Sequence, residues 1–272
     1  MQQTINNHQN EPQNCGSYLS LIENYIPYNE QEKADQKAML SFIENHPHHL
    51  TRDELSGHMT VSLWTVNEDY TKTLMVYHHI YDSWAWIGGH VDGDDDFIHV
   101  CLKELEEETG THALYIDPNP ISLEILTVDG HVKRGEYVSS HLHYNLTFLA
   151  VVDEHELLRI APEENSGVKW FTFEDALKAS SEPWFVENVY KKLIKKVQIK
   201  RIKQMESYFD LLLDHLGTDE MYEQLETYFH SDLWKLDFEA DEKGLLPSDL
   251  KRGVLSEDGL YNYFSQNKKG VK

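Results

Sequence analysis

The stretch 88-GGHVDGDDDFIHVCLKELEEETG-110 constrains the fold of this chain more than any other. An apolar segment, WAWI, runs into two glycines, and an acidic turn follows. A helical period then sets in from about Asp95 to Thr109, with Gly110 as a natural C′ residue. Such an order requires a strand that turns sharply into an amphipathic helix. At about 100° per residue, Glu107 and Glu108 flank Glu104 within an arc of about 100°, and Glu106 points to the far, solvated side. Ile98, Cys101, Leu102 and Leu105 form an apolar stripe beside that arc, which places the acids where core meets solvent. Asp92, Asp94 and Asp96 read as loop and helix-start acids, favourable at the positive end of the helix dipole.

Three carboxylates so close raise one another's pKa unless a cation compensates. Mg²⁺ takes hard oxygen ligands, keeps several waters and commonly bridges to substrate phosphates, so it is the simplest compensation. By itself an ELEEE run reads as a salt-laced surface helix with Lys103 offsetting the acids. The glycine pair, the preceding strand and the spacing weigh against that reading.

Elsewhere the pattern changes period. Residues 18–46 read as helical, broken at Pro27, with Leu21, Ile22, Tyr25, Met39, Leu40, Phe42 and Ile43 as buried candidates. Thr51 to Glu54 is a candidate capping box. MTVSLWTV (59–66) and TLMVYHH (73–79) predict a hairpin. Strands are expected at 121–128, 141–152 and 168–173, with the first two joined by a polar loop, 129–140. Helices are expected at 174–179 and 183–196, and again from Val197. The two cysteines, Cys15 and Cys101, supply no disulfide framework, and a reducing, cytoplasmic setting is expected. The N-terminus lacks the pattern of a secretory signal, and residues 1–17 read as a disordered polar tail. No apolar run approaches the roughly 18 residues that span a bilayer. A formal charge of −23 repels nucleic acid backbones and anionic membranes, so neither is an expected partner.

The opening stretch resembles the box of the Nudix hydrolases: Gly, five residues, Glu, seven residues, then Arg-Glu-(apolar)-x-Glu-Glu-x-Gly-(apolar). Here Gly89 is followed by five residues, Asp95, seven residues and then Lys103-Glu104-Leu105-Glu106-Glu107-Glu108-Thr109-Gly110-Thr111. Every spacing fits, while Asp95, Lys103 and Thr111 depart from the pattern's Glu, Arg and apolar residue. The GGHVDGD start resembles a bacterial subgroup with a short helical segment before the box domain. The resemblance runs from about Ser56 to Lys196 and implies an α+β fold, a Nudix α/β/α sandwich with a mixed sheet. The expected division is a tail (1–17), an N-terminal helical segment packed on the Nudix domain (18–55), the Nudix domain (56–196) and a helical C-terminal domain (197–272).

What the resemblance implies is Mg²⁺-dependent hydrolysis, with Mn²⁺ as a substitute, of a nucleoside diphosphate linked to another group. It makes Glu107 and Glu108 metal ligands, Glu104 a ligand or the base that orients water, and the Gly88 carbonyl a further ligand. Asp95 and Lys103 then orient the helix with a point-charge donor in place of a bidentate fork. Nudix enzymes often draw another carboxylate from a later loop, and Glu164 resembles that position, with Glu163 as the fallback. The basic island His131, Lys133 and Arg134 could contact phosphate or sugar. His141, His143 and Asn145 alternate onto one strand face and could line the substrate pocket. A zinc site is disfavoured there, because no cysteine or further histidine has ligand spacing. Trp84 and Trp86 read as core or pocket wall. The alternative is a Nudix-fold nucleotide sensor with weak or no hydrolysis. An isopentenyl-diphosphate isomerase is discounted, because Trp86 and Ile87 stand where that enzyme needs cysteine.

From Val197 to Gln266, RIKQMESYFD and above all DFEADEKGLLPSDLKRGVLSEDGLYNYF resemble a family of small bacterial domains without an assigned function. The resemblance implies a helical hairpin followed by a compact element. A homodimer contact or a protein partner through these helices is the expected use.

Overall fold

The β-branched and aromatic run at residues 59–66 forms the centre of a sheet. In a computed structural model, which describes residues 17–80, 82–133 and 135–267, strand β1 (Gly57–Val66) is buried along its whole length. It pairs antiparallel with β2 (Lys72–His78) as the expected hairpin, Val66 opposite Thr73. The WAWIGG segment is not one strand. It splits at Trp86 into β3 (Ser83–Ala85), which pairs with β2, and β4 (Ile87–His90), which pairs with β1. Two partners on two different strands require the break.

The long strand β9 (His141–Val151) lies parallel to β1 over its full length, from Gly57 opposite Leu142 to Val66 opposite Val151. Strands β5 (Tyr115–Ile116) and β6 (Ser122–Val128) both pair antiparallel with β9. With β10 (Asn165–Thr172) the mixed sheet has eight strands in the order β10-β2-β1-β9-β5, and β3, β4 and β6 attach to β2, β1 and β9. Within the expected 129–140 loop, β7 (His131–Lys133) and β8 (Glu136–Val138) form a separate small hairpin. Helices α1 (Tyr18–Glu23), α2 (Glu30–Asn45) and α3 (Phe97–Thr109) complete an α+β unit. Ile22, Met39, Phe42, Phe97 and Leu105 join Val61, Leu63, Leu146 and Phe148 in one core. Burying each large apolar side chain contributes about 1.5–3 kcal/mol. Thr51 to Glu54 caps no helix and lies in a turn.

One face of this sheet is polar yet buried. Asn145 Oδ1 accepts from Thr60 Oγ1 and Ser62 Oγ, both at 3.0 Å, and Thr147 Oγ1 donates to Glu124 Oε2 at 2.9 Å. Ser122 links Glu124 to Glu32 of α2, which also accepts from the Tyr25 hydroxyl at 2.7 Å. Buried polar groups persist only when paired in this way.

The chain divides into two compact units. The first takes in the described residues up to Glu68 together with Thr73–Phe171, and the second Asp69–Lys72 with the described residues from Thr172. In the second, α4 (Phe173–Ala179) and a short α5 (Pro183–Phe185) lead through a π-helical turn, Val186–Tyr190, into α6 (Lys191–Leu213). Val197 lies inside α6, so the helix continues past the expected restart. Helices α7 (Asp219–Phe229), α8 (Asp232–Glu242) and α9 (Glu257–Gln266) follow, around Ile202, Leu225, Trp234 and Leu260. Asp237, fully buried, accepts from Arg201 Nε at 3.0 Å and Nη2 at 2.6 Å, from Gln198 at 2.9 Å and from the Tyr228 hydroxyl at 2.8 Å.

Candidate active site

Helix α3 starts at Phe97, two residues after the expected position, because Asp96 is its N-cap and accepts from His99 N at 3.0 Å. It ends at Gly110, whose φ of +73° favours glycine and whose N–H donates to Glu106 O at 2.8 Å. Of the expected apolar stripe, Cys101 and Leu105 are buried and Ile98 partly so, whereas Leu102 faces solvent. Of the loop acids, Asp92 holds a bidentate pair with Arg52, and Asp94 accepts from Asp96 N and pairs with His99.

Glu104 and Glu108 stand one turn apart on the buried face of α3. Glu164 comes to meet them, and one oxygen from each of the three carboxylates falls within 4.8 Å of the others. Several hydrogen bonds tie down the loop that delivers Glu164. Asn165 Nδ2 donates to the Glu108 carbonyl at 2.9 Å, and Glu164 N donates to Ala161 O at 2.8 Å. Glu163 is exposed and outside the group. Glu107 is also outside it, more than half exposed, with Lys103 Nζ 3.4 Å from its carboxylate. Among the described residues Lys103 pairs with Glu107 and Glu104, and no ion pair joins it to Asp95. Asp95 is exposed and precedes the N-cap, two turns of helix away from Lys103, so the expected Lys–Asp pair is not formed.

The glycine pair fits against these acids. Gly88 lies opposite Ser62 and its N–H donates to the Glu108 carboxylate. A methyl at Gly89 would overlap the Glu104 carboxyl group, with Oε2 2.8 Å away. Burial, partly opposed by Lys103 and reinforced by Glu164 and Glu107, pushes the Glu104 carboxyl up to about 7. Burial, then Glu104 and Glu164, hold Glu108 well above the usual carboxylate range. Glu108 Oε2 is buried without a hydrogen-bond partner. An orphaned oxygen on a carboxylate that neighbours two further acids is costly in itself and suits a hard divalent cation.

A family model for the NUDIX domain matches residues 57–193, half of the chain. The chain belongs to the Nudix family. A second family model, a domain of unknown function (DUF4298), matches residues 187–272. No curated protein matches the chain. Among solved structures, the Nudix part is similar to a NUDIX-family hydrolase from Clostridium perfringens at 21% identity, covering 50% of this chain and 95% of that one, with a TM-score of 0.38. An Ap4A hydrolase from C. elegans is 17% identical, with 51% and 93% covered and a TM-score of 0.36. A MutT protein from Bacillus halodurans is 20% identical, with 48% and 81% covered and a TM-score of 0.34. Among the described residues no helix is long and apolar enough to cross a membrane.

The remaining sequence candidates fall elsewhere. Arg134 lies outside the described residues. His141, His143 and Asn145 do share one sheet face, but Asn145 is taken into the buried network. The two histidines meet His58 and His90, with one ring nitrogen from each of the four within 4.8 Å of the others. Trp84 packs edge-on against Phe171 and Tyr77. Sequence reasoning passed over Asn165, His58 and His90. The first lies beside a candidate already chosen, and the other two are brought in only by strand pairing.

Proposed function

We propose that the Nudix domain is a Mg²⁺-dependent pyrophosphohydrolase that cleaves the diphosphate bond of a nucleoside diphosphate linked to another moiety. The observation that carries this reading is the convergence of the Glu104, Glu108 and Glu164 carboxylates, together with the unpartnered Oε2 of Glu108. When bound, Mg²⁺, or Mn²⁺ in its place, supplies positive charge against the diphosphate and a more acidic water. Glu108, Glu164 and Glu104 are the residues that would hold it, with Glu107 and the Gly88 carbonyl as further donors. Glu104, the third carboxylate of the group, would hold the cation or orient the attacking water as base. Gly88 N–H fixes one Glu108 oxygen and leaves the other for the cation, and Gly89 gives Glu104 its room. Lys103 positions Glu107 and tempers the repulsion among the acids.

The unformed Asp95–Lys103 pair favours a second reading, a nucleotide sensor that binds without turnover. A panel of dinucleoside polyphosphates, sugar nucleotides, ADP-ribose and oxidised nucleoside triphosphates with Mg²⁺ in ¹⁸O-labelled water separates the two. The hydrolase reading expects one class to be cleaved, with label in a product phosphate. Binding without cleavage of any of them supports the sensor and sinks the hydrolase.

A further inference from the structure

We propose that His58, His90, His141 and His143 form a tetrahedral site for a late first-row divalent metal ion of the zinc class, distinct in its donors from the carboxylate site on α3.

Strand pairing builds the cluster. His58 of β1 lies directly opposite His143 of β9, and His141 is two residues earlier on the same face of that strand. His90 of β4 lies opposite Thr60, two residues from His58 and again on that face. The ring centroids of His58 stand 4.9–5.1 Å from those of the other three. His143 Nε2 is 3.2 Å from His90 Nε2 and 3.1 Å from His141 Nε2. A Zn–N bond of about 2.0–2.1 Å spaces the nitrogens of a tetrahedral set about 3.3 Å apart. Imidazole nitrogen is a donor that suits zinc and its neighbours better than Mg²⁺.

The hydrogen-bond inventory supports an ion at the centre. His141 Nδ1 is 2.9 Å from Ser139 O and His58 Nδ1 is 3.4 Å from Glu54 O, so both Nδ1 atoms carry the proton and both Nε2 atoms present a lone pair. A metal-binding histidine typically has its second nitrogen committed in this way. His58 is only 5% exposed, and its Nε2 is buried without a hydrogen-bond partner. His143 Nε2 has one proton or one lone pair, which cannot serve both neighbouring nitrogens with good geometry. Lone pairs turned inward repel an anion and suit a cation. An ion here would tie β1, β4 and β9 together.

The test uses the full chain, untagged, carrying Glu108→Gln so that the carboxylate site does not contribute. Zn²⁺ is added, excess is removed by dialysis against Mg²⁺-containing buffer, and bound metal is counted by mass spectrometry. Co²⁺ is then substituted and the visible spectrum recorded. The proposal expects about one Zn²⁺ per chain, intense ligand-field bands of tetrahedral Co²⁺, and loss of both in His141→Asn and His143→Asn. Should His143→Asn fail to fold, His141→Asn, at the partly exposed start of β9, decides. Absence of bound Zn²⁺ and tetrahedral Co²⁺ from the Glu108→Gln protein overturns the site, and so does unchanged binding in His141→Asn.

Discussion

Ionising Glu104 and Glu108 costs the fold stability, because burial and mutual repulsion both favour the protonated forms. Glu108→Gln keeps an acceptor for Gly88 N–H and removes the repulsion. The metal-free variant is therefore expected to melt higher than wild type by on the order of 2–4 °C, equivalent to about 1 kcal/mol, while losing metal affinity. Calorimetry in chelator checks this, and an unchanged or lower Tm counts against it. Gly89→Ala presses a methyl into the Glu104 carboxyl group, and a shift approaching 1 Å there should lower kcat by about 100-fold. In the second unit, burial raises the Glu182 carboxyl above its ordinary 4.5. The folded state then favours the protonated form. That contribution is present below about 4.5 and is lost as pH rises through the folded pKa. Glu182→Gln should accordingly raise the Tm at pH 7 and leave it nearly unchanged at pH 4, as a pair of thermal scans would read.

At the scale of elements, α3 was legible because every clue to it is local: the cap, the period, the closing glycine and the i, i+4 spacing of Glu104 and Glu108. The β1–β2 hairpin was legible for the same reason. Pairings between distant segments were not. Nothing near His58 or His141 signals that β1 and β9 run parallel over ten residue pairs, and this register is what assembles the histidines. Trp86 looks like the middle of a strand until β3 and β4 are seen to serve different partners. Leu102 fits the apolar stripe by angle, yet it lies at the stripe's edge and remains exposed. In the second unit, α6 and α8 are joined by the Arg201–Asp237 pair, whose side chains are 7% and 0% exposed. Asp237→Ala would strand a buried guanidinium and should cost about 3–5 kcal/mol, measured by urea unfolding. A loss below about 1 kcal/mol would show that the pair is replaceable.

For the whole molecule, a charge of −23 sets the terms on which an anionic substrate is met. Like charges slow encounter, and salt shortens the Debye length from about 30 Å at 0.01 M to about 8 Å at 0.15 M. At saturating Mg²⁺, kcat/KM should therefore rise between those ionic strengths, and a fall would point to a local basic surface that dominates approach. The proposed activity rests on the three converging carboxylates. Its most direct test is steady-state turnover of the best diphosphate substrate over a Mg²⁺ titration, comparing wild type with Glu108→Gln and Glu164→Gln. Both variants are expected to lose at least about 100-fold in kcat, with the Mg²⁺ requirement shifted to higher concentration. Turnover equal to wild type in both variants would contradict the assignment of this site.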